Sequence, residues 1–339
     1  MTRLLVVRLG SLGDIIHTIP AVAALRRALP DARIDWLVDH RHEEIVGLVP
    51  SIDARVVLEA RTIKAWLNTA AVLRSRGYDA AIDFQGLFKS AILARASGAR
   101  TVLGFSIWHL RERAARPLYT QAVHGAAGGR HVIRKNLALA SAFAPSIDPE
   151  HDALAFPLIT VPSAPVESLK RHLGGEPYAV LNPGAAWPNK RWPAERFGEV
   201  AAFLRARHHM RSVVSWGPGE KMLAETVVRA SEGAAILAPT LAILDLVALL
   251  RDARLMISGD TGPTHIAGAL GVPIVSPFGP TSAARNGPWD PDDIVLSKFD
   301  ECECRYQRRC NVAERWCLGR LPSPEMMAAI TTRLAAVRA

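Results

Sequence analysis

The chain has 339 residues, 49% of them apolar and 22% charged, a globular balance that excludes a disordered or fibrous protein and asks for two cores of about 150 residues each. Its formal net charge of +9 points to an anionic partner, and nucleic acid is the weakest candidate because no zinc-finger pattern, RNP-type aromatic strand or dense Lys/Arg tract is present. No apolar run reaches the roughly 20 residues that cross a bilayer, and the opening MTRLLVVRLG reads as a strand with no signal-peptide cleavage pattern behind it, so a cytoplasmic protein is expected.

In chain order, apolar strand-like runs alternate with amphipathic helical runs, which predicts an α/β protein built on doubly wound parallel sheets. RLLVVRL, IDWLVD, RVVLEA, YDAAIDF and TVLGF read as strands of the first half. IPAVAALRRALP, IKAWLNTAAVLRSRG and LFKSAILARASG read as helices, the last two closed by glycine. Proline and glycine crowd 145–177, the signature of a linker. The pattern then restarts: YAVLNPG, SVVSWG, AAILAP, RLMISGD and PIVSPFG are strands, separated by the helical runs PAERFGEVAAFLRARHH, GEKMLAETVVRASEG, LAILDLVALLRDA and THIAGALG. The expected division is a first domain over 1–160, a linker over 161–177, a second domain over 178–322 and a final helix over 323–339 packing on the first domain.

Ligands of such sheets sit beyond the carboxyl ends of the strands, where the informative loops fall. In VVRLGSLGDIIHTIP, Asp14 follows the first strand at a helix start. A carboxylate would repel a phosphate there, so it is either a general base for an attacking hydroxyl or a helix N-cap, two roles that are compatible. In SGDTGPTHIAGALG, the stretch from Gly259 to Pro263 opens a helix with Gly262, the hydroxyls of Thr261 and Thr264, and His265 close by. That is an anion cradle, or an ordinary capped strand-to-helix turn. NPGAAWPNKRWPAERF offers Lys190 and Arg191 to a diphosphate, or a solvated basic turn. SWGPGEKMLAE places Glu220 where an acid accepts ribose hydroxyls, or where the helix dipole favours any acid. Together the three later loops would hold a nucleotide diphosphate without a metal, leaving the first half for the acceptor.

These residues resemble the lipopolysaccharide heptosyltransferases of glycosyltransferase family nine. RLGSLGDIIHTIPA is similar to the family's opening motif, YDAAIDFQGLFKSA to a segment of heptosyltransferase I, and SGDTGPTHIAGALGVPIVSPFGPT to the donor signature. The resemblance implies a GT-B fold, two Rossmann-like doubly wound domains facing across a cleft, and inverting transfer of L-glycero-D-manno-heptose from ADP-heptose to the Kdo of Kdo2-lipid A. It implies that Asp14 is the general base and that Lys190 neutralises the donor diphosphate. Asp260, Thr261, Gly262 and His265 would form the donor pocket, with Asp260 either orienting its loop or binding a heptose hydroxyl, and Glu220 would hold ribose. Acidic Kdo and lipid phosphates need cations, which EARTIKAW supplies as Arg61 and Lys64, and WHLRERAARPLY as Arg111, Arg113 and Arg116; the resemblance supports Lys64 and Arg111 best. No cofactor and no metal are expected, ADP-heptose being a substrate, and the protein is expected to lie peripherally on the anionic cytoplasmic face of the inner membrane.

NPGAAWPNKRWP and the late cysteines look more like heptosyltransferase II, which would make heptosyl-Kdo2-lipid A the acceptor. A nucleotide-sugar epimerase of GT-B type and a non-catalytic nucleotide-binding module are the rival classes. Cys302, Cys304, Cys310 and Cys317 are spaced C-x-C-x5-C-x6-C. Four thiolates can close a tetrahedral metal site, but the tight C-x-C departs from the usual C-x2-C, and free thiols in a reducing cytosol are expected.

Overall fold

The computed structural model describes residues 1–124, 131–311 and 316–337. The chain divides into two compact units, Met1–Ile159 and Thr160–Ala339. The first runs β1 (Arg3–Val7), α1 (Leu12–Ile16), α2 (Ile19–Ala28), β2 (Arg33–Asp39), α3 (Glu43–Gly47), β3 (Ala54–Leu58), α4 (Ile63–Ser75), β4 (Ala80–Asp83), α5 (Phe88–Ala96), β5 (Thr101–Phe105), β6 (Gln121–Val123) and α6 (Val132–Ser141). Its strands form one parallel sheet in the order β3-β2-β1-β4-β5-β6. Leu4 to Val7 and Ala80 to Asp83 are buried without alternation, as strands covered on both faces must be. The strand order reverses between β1 and β4, so the turn from β1 into α1, the helix that carries Asp14, leaves the sheet at its switch point.

The second unit runs α7 (Ala164–His172), β7 (Tyr178–Asn182), α8 (Ala194–His208), β8 (Arg211–Val214), α9 (Lys221–Ala230), β9 (Ala235–Leu237), α10 (Ile243–Arg251), β10 (Leu255–Ser258), α11 (Gly262–Ala269), β11 (Ile274–Phe278), α12 (Ala283–Asn286), β12 (Ile294–Ser297) and α13 (Ser323–Ala336). Its parallel sheet, β12-β11-β10-β7-β8-β9, repeats the order of the first, and the reversal falls between β7 and β10, where Asn182 stands beside Ser258. In its core, Trp192 meets Phe197 edge to face at 5.0 Å and donates its indole N–H to the Leu321 carbonyl. Helices α8 and α9 approach so closely at Gly198 that a Cβ there would stand 2.4 Å from that of Ala230.

The helices α3 and α6 are absent from the sequence reading, and three further features differ from it. The linker region contains α7: Ser163 accepts the Val166 N–H at 3.3 Å and Pro165 occupies the first turn, so the prolines mark a helix start as well as a crossing segment. The final helix, expected to pack on the first domain, buries Met326, Ile330 and Leu334 in the core of the second, against α8, β11 and β12. The sixth strand of each sheet is absent from the sequence reading: β6 is only three residues, β12 (IVLS) is apolar but only partly buried, and each lies at an edge.

The thiols of Cys302, Cys304 and Cys317 are buried in the second core, and the Cys304 and Cys310 sulfurs lie 3.5 Å apart. Burial, reinforced by the neighbouring Cys302, pushes the Cys317 thiol up to about 12. Among the described residues no group of three or more His, Cys, Asp or Glu side chains is arranged to hold a metal ion, and no helix is long and apolar enough to cross a membrane.

Candidate active site

Beyond β1 the chain turns through Gly10 into α1, whose N-cap is Ser11. Asp14 is therefore not the cap itself but the acid three residues inside it: its Oδ2 accepts the Ser11 N–H at 3.3 Å and the Ser11 hydroxyl at 3.0 Å, the reach-back half of a capping box. Its Oδ1 lies 2.7 Å from the guanidinium of buried Arg8, which also donates to the Phe84 carbonyl just past β4. The carboxylate is thus tied at both oxygens, Oδ1 to the Arg8 guanidinium and Oδ2 to the N–H and hydroxyl of Ser11, while its side chain stays 34% exposed. A base needs this combination of fixed direction and an open face. Arg8 carries no role in the sequence reading, although it stands in the same RLGSLGD run.

Arg61 and Lys64 follow β3, and Arg111 follows β5, so all three exposed cations stand at the carboxyl edge from which Asp14 also projects. Arg61 lies 3.6 Å from the buried carboxylate of Asp39, which Arg41 grips at 2.8 and 2.9 Å. Burial pushes the Asp39 carboxyl up, but the hydrogen bonds and charge of Arg41 outweigh it and bring the pKa from 3.8 down to about 2. A depressed carboxylate contributes stability above its unfolded value and loses it as pH falls through its folded value. Asp39→Asn is accordingly expected to lower unfolding free energy by roughly 2 kcal/mol at neutral pH. In urea titrations at successively lower pH the gap to the wild type should close below about pH 4. A pH-independent gap would mean that packing, not charge, is lost.

In the second unit, four loops meet at the carboxyl end of the sheet. After β7, a 3-10 turn (Pro188–Lys190) delivers Lys190, whose ammonium lies 4.6 Å above the Trp187 ring and 2.5 Å from Asp260 Oδ2. After β10, Asp260 is 7% exposed and accepts from four partners: Lys190, Thr281 at 2.7 Å, Asn286 at 2.6 Å and His265 Nε2 at 3.3 Å. Burial raises its pKa, and the His265 hydrogen bond with the Lys190 charge more than reverses this, holding the carboxyl well below the usual range. Both oxygens are occupied, so the geometry fits the loop-orienting role better than a sugar contact.

Thr261 caps α11, Gly262 is its first residue and Pro263 fills the first turn, leaving first-turn N–H groups that have no partner within the helix. Beneath the loop, Asn182 donates to Ser258 at 3.1 Å, Ser258 meets the Thr261 hydroxyl at 3.0 Å, and Thr264 donates to the Gly259 carbonyl at 2.6 Å. Glu220, the residue before α9, accepts the Gly217 N–H at 3.1 Å and lies 3.7 Å from Arg191. Its carboxylate covers Gly184 so closely that a Cβ there would stand 2.0 Å from Oε2. The structure therefore brings Lys190, Asp260, Thr261, Gly262 and His265 together and sets Glu220 over the neighbouring loop. Asn182, Thr281 and Asn286 complete the network; sequence reasoning assigned them no role, because a buried amide or hydroxyl leaves no periodic signal.

The family model described as Glycosyltransferase family 9 (heptosyltransferase) matches residues 66–316. Lipopolysaccharide heptosyltransferase 1 of Pseudomonas aeruginosa is 31% identical over 322 residues, covering 91% of this chain and 87% of that protein. Among solved structures, the E. coli heptosyltransferase WaaC with ADP superposes with a TM-score of 0.70 at 23% identity, covering 97% of this chain and 100% of that one. E. coli ADP-heptose lps heptosyltransferase II gives 0.79 at 18% identity, with 100% of both chains covered. The paired six-stranded parallel sheets are of the GT-B type, the enzyme is a glycosyltransferase, and the chain belongs to glycosyltransferase family 9, the heptosyltransferase family.

Proposed function

We propose that this enzyme transfers L-glycero-D-manno-heptose from ADP-heptose to the Kdo of Kdo2-lipid A in assembly of the lipopolysaccharide inner core, at the cytoplasmic face of the inner membrane. The observation that carries this reading is the Lys190–Asp260 pair at the switch point of the second sheet, beside the N-terminus of α11. A lysine with helix N–H groups and hydroxyls around it suits a diphosphate that gains charge as the glycosidic bond breaks. In the first unit, Asp14 takes the proton of the acceptor hydroxyl as that oxygen attacks the anomeric carbon. The bond from that carbon to the diphosphate breaks on the opposite face, ADP leaves with the electron pair, and configuration inverts. Arg61, Lys64 and Arg111 supply cations to the acidic acceptor. The names of the relatives support the donor and the pathway: one is a lipopolysaccharide heptosyltransferase 1, and WaaC is solved both with ADP and with ADP-2-deoxy-2-fluoro heptose. The epimerase alternative is not favoured, because the family match is to transferases.

Mass spectrometry of Kdo2-lipid A and of its one-heptose derivative, each incubated with ADP-heptose, tests the acceptor. A gain of one heptose on the first alone supports the proposal. A gain on the second alone assigns the chain to heptosyltransferase II, the reading favoured by NPGAAWPNKRWP and the cysteine cluster. The ribose role of Glu220 has its own test in Gly184→Ala. The new methyl would meet the carboxylate, the end of a flexible chain, and push it off the loop. Loss of a charged hydrogen bond is expected to raise KM for ADP-heptose about tenfold with the melting temperature little changed. An unaltered KM would remove Glu220 from the donor site.

A further inference from the structure

The first unit exposes large apolar side chains where it also exposes cations. Ile63 is 81% exposed and Leu67 66%; four residues apart in the first turns of α4, they share one face of the helix. Phe88 opens α5, and Ile107 and Trp108, the latter 74% exposed, follow β5. In a parallel sheet these positions share one edge, since each crossover helix begins at the carboxyl end of a strand. Contacts tie them together: α4 packs on α5, the Phe88 N–H donates to the Glu112 carboxylate at 2.8 Å, and Gly86 lies against Leu110. Arg61, Lys64, Lys89, Arg111 and Arg113 are exposed among them, against the acids Glu59 and Glu112, the second of which is held by the Phe88 N–H.

Soluble proteins seldom leave contiguous apolar side chains in water without a partner for them. An aromatic and aliphatic cluster ringed by Lys and Arg matches the interface of an anionic bilayer, where indole and branched side chains enter the headgroup region and cations meet lipid phosphates. We propose that this edge, centred on Ile63, Leu67 and Trp108, is the surface by which the enzyme docks on an anionic phospholipid membrane. The inference deepens the proposed function and rests on its reading of the first unit as the acceptor side. Insertion of the three apolar side chains sets Arg61, Lys64 and Arg111 at the headgroup plane, where a lipid-anchored acceptor carries its sugars.

The test is flotation of the full chain with phosphatidylcholine vesicles, with and without phosphatidylglycerol, beside transfer assays on Kdo2-lipid A in vesicles and on its deacylated, water-soluble counterpart. The wild type is expected to float only with phosphatidylglycerol, and less as salt rises. The triple variant Ile63→Gln, Leu67→Gln, Trp108→Ser is expected to lose at least about tenfold in vesicle binding and in transfer to the vesicle-borne acceptor, with transfer to the soluble one unchanged. Wild-type flotation by the triple variant, or none by the wild type, overturns the proposal. So does an equal loss of transfer to both acceptors, which would make the patch an acceptor contact, or a wild-type dimer that the variant abolishes, which would make its occupant a second copy. If no acceptor is heptosylated yet flotation depends on the three side chains, the membrane surface stands and the proposed function fails.

Discussion

Asp14→Asn is expected to lower kcat by about 10²- to 10⁴-fold, the usual contribution of a positioned base, while ADP still binds. Asparagine keeps the size of the side chain and an oxygen for the Ser11 N–H, so α1 retains its cap; what it lacks is the ability to take a proton. Arg8 loses the charge of its partner, and a purely structural role for the pair would appear as lost melting temperature. The informative measurement is therefore single-turnover transfer beside a thermal melt. A large kinetic loss with a small thermal one identifies the base, and a rate within tenfold of the wild type would falsify the assignment.

Lys190→Met carries the second large effect. Losing a preorganised charge at the leaving group is expected to cost about 10²- to 10³-fold in kcat. It also leaves Asp260 buried with its negative charge uncompensated by lysine, so stability should fall as well. The double variant Lys190→Met, Asp260→Asn separates the two consequences. With the buried charge gone, the melting temperature should recover while transfer stays low. Recovery of transfer in the double variant would mean that Lys190 serves only to neutralise Asp260.

Much of this architecture is legible from the residues alone. Parallel strands buried on both faces read as unbroken apolar runs, so RLLVVRL and RLMISGD stand out as strands, and their runs alone put the following loops at the carboxyl edge. The helix within 161–177 is not legible there, because proline marks a helix's first turn as readily as a linker and only the Ser163 cap distinguishes the two. Edge strands such as Gln121–Val123 bury too little to impose a pattern. Among the candidate site residues, charged and glycine-flanked ones such as Asp14, Lys190 and Asp260 announce themselves by type. Arg8, Asn182, Thr281 and Asn286 do not, because their importance lies in what they touch across 6, 76, 21 and 26 positions of chain.

The four-partner environment of Asp260 has a thermodynamic consequence for how the site fills. Lys190 faces the Asp260 carboxylate, so on the proposed reading a diphosphate bound there would exchange one counter-charge for another and not neutralise a bare cation. Thr281, Asn286 and His265 also contact Asp260, so in such an exchange the carboxylate would keep three partners and the loop its anchor. Because the resident carboxylate offsets the lysine's field at long range, simple salts gain little from competing there. Donor affinity should then fall with ionic strength less steeply than a count of cations around the loop suggests, and most of the salt sensitivity of catalysis should come from the exposed arginines and lysines of the first unit.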